Sequence, residues 1–496
     1  MPVPALRIST LNTAAVRPDG DFVVYWMVAA RRPFYNFGLQ RAVEAASELG
    51  KPLLVLEALR SDYPWASERL HRFVLGGMAD NQAAFAKTSA HYYPYVEAER
   101  GAGKGLLETL AKRAALIVTD DFPCFFLPRM IRAAAARVKI HFEAVDSNGL
   151  VPLKAVDRAY SRAFDFRRFL TRALPEHVAM APLQNPLKGA RLPAFPGLPR
   201  GVSARWPRAS AELLAGDAAA LARLPIDHRV GRAAQAGGFR AARGRLEEFL
   251  EHKLVKFADA RNHPDADGAS GLSPSLHFGH LSAHEVFSRV LALEDITLTD
   301  LRGRSQGDPK ALWQMRPGAE AFLDQLVTWR ELGYNFCQHH PDDYDQFRAL
   351  PSWSKATLLA HQKDPRERIY SAKQLENAET DDELWNAAQR ELVESGGLQG
   401  YLRMLWGKRT LTWTHSAEDA FSVLIELNNK YALDGRNPNS YSGISWCFGR
   451  YDRPWPEHSI FGTVRVMTSG SARRKLKLSA YLARWGRSST PRLPGL

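Results

Sequence analysis

Four short strand-like runs punctuate the first third of the chain: Phe22–Val28 (FVVYWMV), Pro52–Leu56 (PLLVL), Ala115–Thr119 (ALIVT) and Ile140–Val145 (IHFEAV). Between them lie segments with apolar residues at helical spacing, notably Asn36–Leu49 and Ser67–Ala86. Strands alternating with helices predict a parallel sheet in a doubly wound, Rossmann-like α/β domain. A ligand of such a sheet belongs beyond the C-terminal ends of its strands.

The pattern then changes. From Pro182 the chain is rich in Pro, Gly, Ala and Arg, as in PLQNPLKGARLPAFPGLPRG, with no sustained period, and reads as a linker. Beyond it Phe239–Phe257, Ala283–Leu293, Gly318–Phe336, Asp382–Ser395, Leu398–Trp413 and Ala417–Tyr431 carry helical periodicity, and strand-like alternation is scarce. The expected organisation is a tail over 1–20, an α/β domain over 21–181, a linker over 182–235, an all-α domain over 236–480 and a basic tail over 481–496. Two domains agree with a length of 496 residues, since one core stops growing at about 250–300.

Lys and Arg total 66 against 53 Asp and Glu, a net charge of +13 that favours an anionic partner such as nucleic acid. Cys124, Cys337 and Cys447 are far apart and form no C-x-x-C pair, which supports neither a disulfide framework nor a cysteine-ligated metal. No apolar run approaches the roughly 18 residues of a membrane span, and the N-terminus lacks an apolar signal core, so a cytoplasmic setting is expected. His339, His340 and the pair His277/His280 have no Cys or carboxylate partners at metal-ligand spacing, so no metal is expected. Gly101–Gly105 (GAGKG) lacks the frame of a phosphate loop and reads as a surface turn.

The residues richest in chemistry lie near the C-terminus, in Asp381–Gln389 (DDELWNAAQ), Gly400–Trp413 (GYLRMLWGKRTLTW) and Leu427–Trp455 (LNNKYALDGRNPNSYSGISWCFGRYDRPW). Trp406 and Trp413, seven residues apart, fall two turns apart on one helix face, and Arg403 precedes Trp406 by one turn. Indoles arranged in this way can pass an electron. Gly271–Gly279 (GLSPSLHFG) supplies hydroxyls, amides and a helix start, the groups that hold a pyrophosphate.

Together these motifs resemble the photolyase/cryptochrome superfamily, and specifically the class II cyclobutane pyrimidine dimer photolyases. The resemblance runs from about residue 20 to about residue 480 and is dense over the last two hundred or so. It implies that the helical domain binds FAD, with Ser270, Leu272 and Ser273 at the pyrophosphate. Arg403 and Asp434 take the positions of an ion pair beside the isoalloxazine, and Asn428 the position facing N5. Trp406, Trp385 and Trp413 match the three tryptophans that relay electrons from the surface. Trp329 and Trp446 match the two walls of a pocket for bases extruded from damaged DNA, a process for which the photolyases are themselves a general example. Met404 matches a lesion contact, and Arg450, Arg453, Arg473, Arg474 and Lys475 are rim cations for phosphates.

The implied activity is a light-driven lyase that splits pyrimidine dimers in UV-damaged DNA, acting as a monomer. Two departures weigh on it. Gln325 stands where dimer photolyases carry a catalytic glutamate, and an amide cannot change charge. Gln399 stands where most relatives have histidine. The alternatives are a cryptochrome-like blue-light receptor without repair activity, or a photolyase for another lesion. In the N-terminal domain Asn36, Thr119–Phe122 and Leu127–Met130 match the family, and the implied second chromophore is an antenna of the 8-hydroxy-5-deazaflavin type.

Overall fold

The computed structural model describes residues 1–297, 300–301 and 314–486. Its sheet has six strands: β1 (Ile8–Thr10), β2 (Phe22–Met27), β3 (Leu53–Leu59), β4 (His91–Val96), β5 (Ala114–Asp121) and β6 (Phe142–Asp146). Their spatial order is β1-β6-β5-β2-β3-β4, with β1 antiparallel to β6 and every other pairing parallel. The chain therefore winds outward from β2 in one direction and from β5 in the other, and the switch point lies between these two strands.

All six residues of β2 are buried, as a central strand covered on both faces requires. Val23, Tyr25 and Met27 face helix α1 (Phe37–Leu49), while Phe22, Val24 and Trp26 face helices α3 (Leu106–Ala111) and α4 (Leu127–Ala135). Helix α2 (Glu68–Phe85) lies between β3 and β4 in the chain. Each of the four strand-like runs falls on a strand, and the two helical patterns are α1 and α2. β1 and β4 fall outside these four runs. In β4 (HYYPYV) a proline interrupts the run, which an edge strand tolerates because only one of its sides joins the sheet ladder.

The segment expected as a linker, 182–235, contains three short helices, Val202–Arg205, Ala211–Leu214 and Ala218–Ala222. It is pinned to the sheet: Val202 and Trp206 are buried against it, and the Tyr93 hydroxyl donates to the Trp206 carbonyl at 2.5 Å. Ahead of it, helix α5 (Ala163–Val178) buries Phe166, Leu170 and Leu174 among Phe249, Phe322 and Leu326 of the helical region. Of the basic tail expected over 481–496, residues 487–496 lie outside the described residues, and Tyr481 is buried with its hydroxyl on Glu391 at 2.8 Å. Among the described residues no helix is long and apolar enough to cross a membrane.

Sheet and helices interlock through buried polar groups. Asp120, at the end of β5, accepts the backbone N–H groups of Val28, Ala29 and Ala30 at 2.7–2.9 Å and the Tyr25 hydroxyl at 2.6 Å. The loop after β2 is thereby fixed, and the helical region's Gly279 rests on it. Gly279 has φ +73°, and a Cβ there would stand 1.8 Å from the Ala29 carbonyl oxygen. Gly279→Ala combines left-handed strain with a backbone clash, so a loss of more than about 2 kcal/mol in urea unfolding is expected. Arg69 of α2 donates to Leu392, Val393 and Tyr431 carbonyls, satisfying the open C-terminal ends of two helices at once.

Candidate functional site

Two antiparallel neighbours carry the tryptophans. Asp382 caps the helix Glu383–Ser395 by accepting the Trp385 N–H at 3.2 Å, and Gln399 caps the helix Gly400–Leu411 by accepting the Leu402 N–H at 3.0 Å. The Gln399 amide also donates to the Arg261 carbonyl at 2.6 Å, so this departure from the family histidine has a structural use. Arg409 pairs with Asp382 at 3.1 Å and locks the two helices in register.

Trp406 and Trp385 lie 6.5 Å apart, centroid to centroid, with ring planes 12° from parallel. Trp385 meets Trp413 edge to face at 5.5 Å. The spacing argument placed Trp406 and Trp413 on one helix face; instead the helix ends at Leu411, Trp413 sits in the following turn, and Trp385 bridges them. Their indole nitrogens are held, Trp385 Nε1 on the Trp406 carbonyl and Trp406 Nε1 on Gln389 Oε1, both at 2.9 Å. The expected relay reaches the surface at its third member, yet Trp413 is only 4% exposed. Arg409 covers it with its guanidinium carbon 4.4 Å from the ring, and the partly exposed Tyr370 packs on it at 5.6 Å.

One turn before Trp406, Arg403 donates to Asp434 at 3.0 Å, and Ser273 Oγ donates to the same carboxylate at 2.7 Å. Burial alone would raise the Asp434 carboxyl, but Arg403 and Ser273 outweigh it and hold the group below the usual carboxylate range. Asn428 is buried, its amide directed at Asn429. Asn437 bonds His277 Nδ1 at 3.0 Å, and burial followed by the Arg436 charge lowers that imidazole to about 3, so it is neutral. Ser270 Oγ accepts the Leu272 N–H at 3.4 Å, and the Leu272 side chain is buried in the core, so what Leu272 offers a ligand is its backbone amide.

The loop fits a large anionic cofactor. Gly271 has φ +66°, with the stem of Arg245 packed 3.1 Å from where a Cβ would be. Arg245 Nη1, Arg261 Nε and Ser275 Oγ are buried without a protein partner. Buried donors of this kind call for a partner, and a pyrophosphate is a group whose oxygens would fit them. Arg245 and Arg261 were missed in the sequence, where they are two of many arginines.

Trp329 and Trp446 stack on each other, 4.4 Å apart and 13° from parallel, and both are partly exposed. They therefore form one two-layer platform rather than two walls facing across an opening. Gln325 is partly exposed on the same π-helical turn as Trp329, Asp324–Trp329, which interrupts the single helix expected over Gly318–Phe336. Met404 lies with its sulfur 3.9 Å from Cys447 Sγ. Arg453, Arg473, Arg474 and Lys475 are exposed, but Arg450 is not a rim residue: it is 6% exposed, donates to the Ala349 carbonyl and stacks 3.9 Å over Phe336.

A cavity of about 400 Å³ opens beyond the C-terminal ends of the parallel strands. Trp26, Leu56, Tyr95, Phe122, Phe126 and Met130 line it, and the Gly101–Gly105 turn forms part of its rim. His277 and Arg436 reach it from the helical region, so the cavity and the Ser273–Asp434 site are neighbours.

No protein-family model matches the chain. It is 35% identical over 482 residues to the deoxyribodipyrimidine photo-lyase of Methanothermobacter thermautotrophicus, covering 97% of this chain and 98% of the relative. It is 32% identical over 500 residues to the protein of that name from Oryza sativa subsp. japonica, covering 96% and 90%. In fold it is similar to a bacterial class III photolyase from Agrobacterium tumefaciens (TM-score 0.65, 16% identity, 94% of this chain and 86% of that one). A cryptochrome from Synechocystis is similar as well (TM-score 0.62, 15% identity, 94% and 88%).

Proposed function

The chain belongs to the deoxyribodipyrimidine photo-lyase family, and from that premise we propose that it is a class II-like, FAD-dependent photolyase that splits cyclobutane pyrimidine dimers in UV-damaged DNA. The observation that carries this reading is the contiguous series Trp406, Trp385, Trp413, which runs from one helical turn beyond the Arg403–Asp434 pair toward the partly exposed Tyr370.

Bound FAD would supply light-driven electron donation to the dimer and recovery of that electron afterwards. The chain's residues do the rest. Ser270, the backbone amides of Leu272 and Ser273, Arg245 and Arg261 would hold the pyrophosphate, the Ser273 hydroxyl being donated to Asp434. Asp434 holds Arg403 in position, and Asn428 offers a neutral amide in a buried setting where a donor counts for more than in water. The three indoles form a conduit for electrons between the buried site and the surface. The Trp329–Trp446 platform offers an aromatic face to bases leaving the duplex, with Gln325 on the same turn as Trp329, Met404 packed on Cys447 next in sequence to Trp446, and Arg453 available to phosphate. Gln325, as an amide, hydrogen-bonds a pyrimidine without donating a charge-compensating proton. The aromatic cavity beyond the strands is where a deazaflavin-type antenna would sit.

The second reading, a blue-light receptor, is favoured by Gln325. One assay separates them. Purified protein carrying reduced FAD, mixed with an oligonucleotide holding one thymine dimer, is expected to restore the intact thymines under blue light and not in darkness. Normal flavin binding with no restored thymine under light would reject the repair reading in favour of the receptor.

A further inference from the structure

The π-helical turn Asp324–Trp329 sits between the α-helical stretches Pro317–Leu323 and Arg330–His339. A π-turn closes through i→i+5 bonds, so residues five apart come onto one face, where in an α-helix they would not. Asp324 Oδ2 accordingly accepts the Trp329 Nε1–H at 3.0 Å. The carboxylate is held from elsewhere in the chain: Arg167 of α5 donates from Nε to Oδ1 and from Nη2 to Oδ2, both at 2.8 Å. Such a fork fixes the plane of the carboxylate as well as its position. The guanidinium carbon also stands 5.6 Å from the Trp329 ring centroid.

Helix α5 does not need this pair in order to dock. Phe166, Leu170 and Leu174 are each 1% exposed in the core. Arg167 and Asp324 are 23% and 24% exposed, at the edge of that core and next to the stacked indoles. What the pair holds is the angle of the Trp329 ring, through the hydrogen bond that Asp324 Oδ2 accepts from Trp329 Nε1–H.

We propose that Arg167 is a positioning residue for damage recognition: by orienting Asp324 it fixes Trp329 against Trp446, so that the aromatic platform is already set when extruded bases arrive. The proposal rests on the reading of these indoles as the lesion platform. An indole free to turn would have to be ordered at each binding event, which weakens binding to damaged DNA selectively. Undamaged duplex, held by its backbone, would be bound as before.

The test measures affinity in darkness for a thymine-dimer duplex and for the same duplex undamaged. Arg167→Met, which keeps the packed stem, and Arg167→Ala are each expected to lower the ratio of the two affinities by about tenfold, with flavin content unchanged. The exchange Arg167→Asp with Asp324→Arg restores the ion pair, and is expected to restore the unfolding midpoint but not the ratio, because an arginine offers Trp329 Nε1–H no acceptor. An unchanged ratio in Arg167→Met, or its recovery in the exchanged protein, would overturn the proposal. Wild-type protein that does not discriminate at all would overturn the platform reading itself, and the proposal with it.

Discussion

Trp406→Phe is expected to slow light-driven reduction of the bound flavin by at least about tenfold, the effect of about 1.4 kcal/mol on a barrier. Trp406 is 1% exposed, stacks on Trp385 at 6.5 Å and lies one turn from Arg403, so it links the buried ion pair to the rest of the indoles. Phenylalanine keeps an apolar ring in the core but is much harder to oxidise than indole, so the conduit is cut at that point. The smaller ring leaves a void costing about 2 kcal/mol, tolerable against a typical stability of about 5–15 kcal/mol. Flavin content should therefore hold while its absorbance under blue light, with an external reductant, bleaches slowly. Trp455→Phe is the matched control: Trp455 is 39% exposed and outside the stack, so wild-type bleaching is expected. Equal rates in both variants would remove the indole series from the account.

Asp434→Ala is expected to be the most damaging single change at the cofactor site. Arg403 and Asp434 are 23% and 16% exposed at the side chain, and deleting the carboxylate strands a mostly buried guanidinium and removes the acceptor of the exposed Ser273 hydroxyl. Removing one partner of such a pair costs about 3 kcal/mol or more, and here the loss should appear as poor flavin retention as well as a lower unfolding midpoint. Asp434→Asn keeps an acceptor oxygen and should fall between the two proteins. The pH dependence has a definite sign. The folded carboxyl is held below its ordinary value of 3.8, so its contribution is fully present above that value and is lost only as pH falls through the lower, folded one. Flavin release on mild acidification, above the ordinary carboxylate range, would contradict the assigned role of the pair.

What was legible in the sequence follows from the range of each signal. Runs such as FVVYWM and the helical period of α1 and α2 are local, so β2 and both helices could be read directly. Pro94 broke the pattern of β4, and a three-residue β1 had too little pattern to read. The π-turn at Asp324–Trp329 has no period of its own in a sequence that is apolar at helical spacing on either side. Side-chain chemistry shows the same division. Arg403, Asp434 and Ser273 were named through motifs, and they meet within 3.0 Å. Arg450 was placed at the rim by its charge and proximity to Trp446, but its side chain turned inward onto Phe336, where a carbonyl and a ring replace water. Arg167 was invisible because its partner Asp324 is 157 residues away, and no local pattern encodes such a pairing.

On the reading proposed above, the helices around Arg403, Asp434 and Ser273 hold one FAD per chain. The most direct measurement is the visible absorption spectrum of the purified protein, before and after incubation with FAD and removal of the excess. Flavin bands corresponding to one bound FAD per folded chain are the expected result. A folded protein that stays colourless after incubation with FAD would contradict it.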